Sequence, residues 1–423
     1  MYISESRAYV QPKRRGPLRV YIRDLLCKHN YFWNFFSDNP KMQDWFGIVS
    51  ATVWLWNGIL SISQAVKSNG KPRDGAYSDM RHGVPEEAPS IVAIKRAIPR
   101  HCFQANVWRS LYYVIKDIAL VAGSYGVLRL LEWQPYMSVR YVFTPVYVLF
   151  QGTLFWAVFV LGHDCGHGSF SGSGLLNDTL GTLLHTFLLV PYYPWKLSHR
   201  HHHKNTGNFD KDEIFYPVRQ KYAATDFKPL TPVFGFGSSW FMYLFVGYYP
   251  RNICHFNVFE RLFQGYVLGC VTSIVSFTAW SFLLIQYWQL YGLSALICHY
   301  GAPLFVFASW LVLVTFLHHN DTGVPWYSDS TWDNVRGQLS SVDRHYGWAH
   351  DLTHNIGTHQ IHHLFTKIPH YHLEEAASAF RKSFPDLVRM SREPIMPAAF
   401  RIFNVFVKQR TVPDNSEVHI YRD

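Results

Sequence analysis

Charge is scarce in this chain. Only 16% of its 423 residues are Asp, Glu, Lys or Arg, while 48% are hydrophobic and 17% aromatic. That balance argues against the two or three soluble domains that length alone would suggest. It suits apolar spans bordered by aromatic belts. Mean hydropathy is only -0.05, so substantial polar regions must join the spans. Cysteine is sparse too: Cys27, Cys102, Cys165, Cys254, Cys270 and Cys298 show no CxxC pair and no framework spacing. The pattern excludes a disulfide scaffold and fits free thiols in a reducing compartment. Met1 to Arg23 is polar and basic, so no cleavable signal peptide is expected. There is no internal repeat of fixed period and no low-complexity tract. The net charge of +10 comes without a basic helix or stacking platform of the kind nucleic acid requires. Attraction to anionic lipid headgroups on a cytosolic membrane face accounts for it better.

What is present divides into three regions. Residues 1–90 carry a basic arm (Lys13, Arg14, Arg15, Arg19, Arg23), an apolar segment at 45–66 and a Gly/Pro/charge-rich linker. The apolar segment is read as an interfacial or partly embedded helix. Residues 91–410 form the main domain, and 411–423 a polar C-terminal tail. Within the main domain, Val107–Leu131, Val142–Leu161, Tyr266–Ile285 and Leu293–Leu317 each approach the ~20 apolar residues of a membrane span. Lys116 and Asp117 interrupt the first of these, as snorkelling charges or as parts of a site. Leu175–Tyr193 reads as a surface or re-entrant segment, and Ser239–Tyr249 as interfacial. The expected architecture is an all-α integral membrane protein with four transmembrane helices.

Histidine is where the polar regions concentrate their chemistry. His199-Arg200-His201-His202-His203 places His199, His202 and His203 on one helical face, with His201 on another. Adjacent His202 and His203 point about 100° apart, so the pair suits two neighbouring metal ions. His359-Gln360-Ile361-His362-His363 repeats the HxxHH spacing, and His163 and His167 supply an HxxxH pair. Eight histidines in three clusters exceed what one zinc could use. Two spans separate His163 from His319, so all clusters emerge on one side. Arg140 is the only basic residue expected on the other side, which places the clusters in the cytosol. The prediction is a cytosolic, histidine-lined di-metal cap.

The order HxxxH, HxxHH, HxxHH on four spans resembles the membrane fatty acid desaturases and their hydroxylase relatives. Gly162-His163-Asp164-Cys165-Gly166-His167-Gly168-Ser169-Phe170-Ser171 is similar to the first box of the methyl-end (omega-3/delta-12) group. Ile356-Gly357-Thr358-His359-Gln360-Ile361-His362-His363-Leu364-Phe365 is similar to its third. The resemblance covers roughly residues 90–410 and leaves the N-terminal 90 unaccounted for. It implies an O2-dependent enzyme with two iron ions. His163, His167, His199, His203 and His362 would hold one iron, and His202, His359, His363 and His319 the other. His318 is excluded as a variable position, and His201 as lying off the ligand face. Asp164, His185, Asp343 and His354 are expected to support ligand imidazoles from behind.

The resemblance also implies cytochrome b5 and NADH-cytochrome b5 reductase as electron donors, since the chain contains neither an HPGG-type haem segment nor a GxGxxG fingerprint. The substrate would be an acyl-phospholipid or acyl-CoA drawn from the bilayer, and the location the endoplasmic reticulum membrane. Asp164 in the first box and the IGTHQIHH form of the third favour omega-3 over delta-12 desaturation. A related hydroxylase is a further alternative. A non-catalytic metal carrier is the remote one, because carriers place ligands at the membrane midplane rather than outside the spans.

Overall fold

The computed structural model describes residues 88–223 and 236–422. The basic arm and the 45–66 segment lie outside the described residues. The described chain is mostly helical. Helix α1 (Ile91–Ala97) starts at the capping Ser90 hydroxyl. Long helices α2 (Val107–Glu132) and α3 (Met137–His167) follow. Two shorter ones, α4 (Gly174–Phe187) and α5 (Tyr192–Asn205), lead to the middle histidine cluster. After α6 (Gly237–Val246) come α7 (Val267–Tyr291) and α8 (Leu293–His319).

Among the described residues, three helices, α3, α7 and α8, are long and apolar enough to cross a membrane. Helix α2 has the length, but Arg109, Lys116, Asp117, Arg129 and Glu132 leave it a shorter uncharged stretch. The four expected spans thus all appear as helices, each continuing past the C-terminal end of the apolar run that marked it, with only three passing on composition. Burial separates their roles. The most apolar stretches of α3 and α8 are largely buried, whereas α7 turns most of its side chains outward. Leu268, Val275, Phe282 and Leu290 are all more than half exposed on α7, as are Trp108, Ile115 and Leu130 on α2. An apolar belt of this extent suits lipid rather than water. Helix α8 also contains a π-turn, Ile297–Gly301, in which His299 bonds Glu132 (2.6 Å) and Tyr287 (2.7 Å).

The remaining described residues build a cap at the histidine ends of α3 and α8. Its helices are α9 (Asn334–Gln338), α10 (Ala349–Leu352), α11 (His359–Leu364), α12 (Leu373–Ser383) and α13 (Ile395–Gln409). Ile94 and Ile98 of the α1 segment pack with Ile361, Leu364, Leu373 and Phe380 in one apolar core. The cap departs from an all-α reading. Val218–Arg219 pairs with Thr411–Val412, Pro325–Tyr327 with Val418–Ile420, and Asp343–Arg344 with Met390–Ser391. Residues 411–422 are therefore not a loose polar tail. Val412 and Tyr421 are buried, and their burial holds the two edge strands down.

Candidate metal centre

Each histidine cluster sits where its helix stops. Helix α3 ends at Gly168, whose φ of 68° is left-handed. There the Gly168 and Ser169 N–H groups donate to the Cys165 and Asp164 carbonyls, a stop that favours glycine. Helix α5 carries His199, His202 and His203, α8 ends on His319, and α11 is a short helix in which every residue is buried. Its first two N–H groups, of His359 and Gln360, donate to Asp343 Oδ1 at 2.7 Å each. The preceding Gly357 lies against the Arg344 carbonyl so closely that no side chain fits there.

The fold brings all nine predicted histidines together. Ring nitrogens of His163, His167, His199, His203 and His362 lie within 4.8 Å of one another, and those of His202, His319 and His363 do likewise. His359 joins the second group, its Nε2 3.1 Å from His319 Nε2. The groups abut: the His203 and His363 rings stack with centroids 4.0 Å apart. The helical-face reading of α5 is realised, with His203 in one group and neighbouring His202 in the other.

Three Nε2–Nε2 contacts link His163, His167, His199 and His203 in series, each 3.1 Å long. A neutral imidazole nitrogen has one proton or one lone pair, not both. His167 and His199 each face two other nitrogens, so protons alone cannot satisfy the series. A cation among the lone pairs can. Nitrogens at about 2.1 Å from one metal and at right angles would be about 3.0 Å apart, matching these contacts. Burial first, and neighbouring imidazoles second, hold His199, His203, His359, His362 and His363 well below the ordinary imidazole range. They stay in the neutral form that binds metals.

Behind the rings, the supporting residues differ from expectation. His202 Nδ1–H donates to Asp212 Oδ1 (2.6 Å), and Asp212 is fully buried. This carboxylate fixes the tautomer that turns the Nε2 lone pair inward, and sequence reading missed it. His363 Nδ1–H is likewise received by Gln338 Oε1 at 3.1 Å, also missed. Asp343, expected to hold a ligand ring, instead caps α11 and receives Arg381 at 2.8 Å. His185 stacks on Phe159 and bonds its carbonyl at 3.2 Å, touching no ligand nitrogen. It supports Trp195, which stacks on His199. His354 pairs with buried Asp117 at 2.6 Å rather than with a ligand, which makes Asp117 part of the cap rather than a snorkelling charge. Asp164 Oδ1 is 3.7 Å from His163 Nδ1. Its other oxygen accepts the His370 ring N–H at 3.0 Å. His318 is engaged at both nitrogens, by the Val342 carbonyl and the Tyr346 hydroxyl. His201 sits 2.9 Å from Glu213, away from both groups.

A cavity of about 60 Å³ opens beside the two groups. His163, His199, His202, His319 and His359 line one side, and Trp156, Phe159, Trp240, Leu311 and Val314 the other. The histidines thus face an apolar wall across the cavity.

Comparison with known proteins agrees with this geometry. The fatty acid desaturase family model matches residues 140–393. The chain belongs to the fatty acid desaturase family. A second model, a domain of unknown function (DUF3474), matches residues 27–125 and so reaches into the N-terminal region that the histidine motifs left unexplained. A Synechocystis sn-1 acyl-lipid omega-3 desaturase (ferredoxin) is 42% identical over 323 residues, covering 75% of this chain and 88% of its own. The Nicotiana tabacum omega-3 fatty acid desaturase of the endoplasmic reticulum is 39% identical over 352 residues, 80% of this chain and 87% of its own. An Arabidopsis thaliana chloroplastic sn-2 acyl-lipid omega-3 desaturase (ferredoxin) is 36% identical over 395 residues, 89% of this chain and 86% of its own. This desaturase is thus an oxidoreductase of acyl lipids.

Proposed function

We propose that the desaturase converts omega-6 acyl chains of membrane lipids into omega-3 chains, using two irons held by the nine histidines. The observation that carries the reading is the pair of abutting imidazole groups beside an apolar cavity. Iron at these positions supplies the O2-derived oxidant that an unactivated methylene needs, which redox-inert zinc does not. His163, His167, His199, His203 and His362 hold one ion; His202, His319, His359 and His363 hold the other. Asp212 and Gln338 keep His202 and His363 in the tautomers whose Nε2 faces the ions. The aromatic wall excludes water and lays the chain against the ligand side, so its depth in the cavity selects which carbons react. Each turnover removes two hydrogens from adjacent methylenes and, with two electrons and two protons, reduces O2 to two waters.

Four helices, α2, α3, α7 and α8, cross the membrane in this reading, and the cap faces the cytosol because basic residues concentrate there. The tobacco relative supports the endoplasmic reticulum and, with it, cytochrome b5 and its NADH reductase as donors. The ferredoxin named for other relatives is the competing donor. Omega-3 specificity is preferred to delta-12 because the three relatives are all named omega-3 desaturases, and because Asp164 in the first box and the IGTHQIHH form of the third resemble that group. Expression in yeast, with oleate and linoleate fed separately, decides. The expected product is alpha-linolenate from linoleate. Linoleate formed from oleate, with linoleate itself untouched, would make this a delta-12 enzyme. Purified protein should carry about two irons per chain.

A further inference from the structure

A second constellation of metal-binding side chains lies on the cap, outside the histidine centre. His101 and Cys102 occupy the single 3-10 turn Arg100–Phe103 that follows α1. His372 closes the turn His370–His372, and Glu375 lies in the first turn of α12. Some 270 residues separate the two halves in sequence, yet one donor atom from each of the four residues lies within 4.8 Å of the other three. His101 Nε2 is 2.8 Å from Glu375 Oε1, and His372 Nδ1 is 3.7 Å from Glu375 Oε2. The two imidazoles meet edge to face with centroids 5.4 Å apart.

We propose that His101, Cys102, His372 and Glu375 form a structural zinc site that ties the segment entering the cap to α12. Two imidazoles, a thiol and a carboxylate make a full tetrahedral donor set of the kind zinc takes in closed sites. Ligand atoms about 2.0–2.3 Å from such an ion stand about 3.3–3.8 Å apart, so the observed separations need only small side-chain rotations. Iron of the catalytic type is a poorer match, because a thiolate-containing, fully protein-filled site leaves no open position.

Burial is graded as a site loaded from solvent would be. Cys102 is fully buried, while the His101 and Glu375 side chains are about half exposed. Without an ion the arrangement is a surface ion pair, which contributes little to stability, laid over a buried thiol. Burial and the Glu375 carboxylate push that thiol up to about 11. The backbone beneath is already fixed, since Ile94, Ile98 and Cys102 pack against Leu373, Ala377 and Phe380. The tie also lies near the histidine centre. Two residues before His372, His370 holds Asp164, which flanks His163.

The site shares no ligand with the histidine centre, so its failure would leave the desaturase reading untouched. The test uses the full chain in detergent, exposed to equimolar Zn2+ and desalted, with zinc and iron measured together. About one zinc per chain is expected beside the iron. Cys102→Ser and His372→Ala should each lose most of that zinc while keeping wild-type iron. Loading with Co2+ gives an independent readout, because the histidine centre has no thiol. A sulfur-to-cobalt charge-transfer band in the near ultraviolet is expected in the wild type and should vanish in Cys102→Ser. Zinc retained by both variants, or a wild-type cobalt spectrum without the sulfur band, overturns the proposal. If one variant does not fold, the zinc content of the other decides.

Discussion

His202 and His201 are neighbours in sequence with opposite surroundings. His202 has Asp212 behind it and His319 in front, at 3.2 Å, whereas His201 faces Glu213. Replacing His202 with Ala should abolish desaturation, and replacing His201 should leave most of it at equal protein level. Equal losses would refute the division of α5 into a ligand face and an outer face. Asp212→Asn should keep the fold but weaken iron retention about 10–100-fold, the usual effect of losing the carboxylate behind a ligand imidazole. Titration against a chelator measures it. His354 gives a pH signature. Burial and His370 lower it to about 4, against the upward pull of Asp117. Unfolded, it takes its proton near 6.5, so it contributes no pH dependence above that value. Stability is lost as pH falls from about 6.5 towards 4, where the unfolded chain binds more protons. His354→Gln should flatten melting temperature against pH within that window; an unchanged slope would place the acid sensitivity elsewhere. These partners were hard to read in the sequence. The ligand histidines announce themselves by helical spacing, whereas Asp212, Gln338 and His370 carry no spacing relation to the rings they hold. Their pairing is decided by tertiary contact.

Helices α3 and α8 were legible as long apolar runs, and α5 as an amphipathic stretch with its histidines at i, i+3 and i+4. Helix α11 was legible only as a motif. With six residues it is too short to persist alone, and it depends on Asp343 accepting two of its N–H groups. Asp343→Ala should cost about 1–2 kcal/mol from the lost cap, and more because Arg381 loses its buried partner. Thermal melting of the iron-free protein isolates this from any metal effect. Gly357→Ala should be more damaging still, since the added methyl meets the Arg344 carbonyl. The π-turn in α8 and the short edge strands escaped the sequence reading. Neither has a periodic signature in so few residues, and both depend on the elements packed beside them.

For the whole molecule, orientation is the property to test. A glycosylation acceptor inserted near Lys221 should stay unmodified on the cytosolic side. One placed on a spacer at Gly292, in the tight turn between α7 and α8, should be modified. The reverse pattern would overturn the cytosolic placement of the cap. The centre draws its ligands from α3, α5, α8 and α11, and the last of them is His363. During synthesis, a ribosome that has emitted the chain only as far as His203 has exposed part of one group and a single member of the other. No ion can be fully enclosed until some 160 further residues emerge. Newly made chains therefore wait, with apposed unligated imidazoles, for both the rest of the polypeptide and the metal. On the proposed di-iron reading, cellular iron supply should then set this protein's lifetime as well as its active fraction. In a pulse–chase, chelation begun before the pulse should shorten its half-life severalfold, and chelation begun after assembly should do so far less.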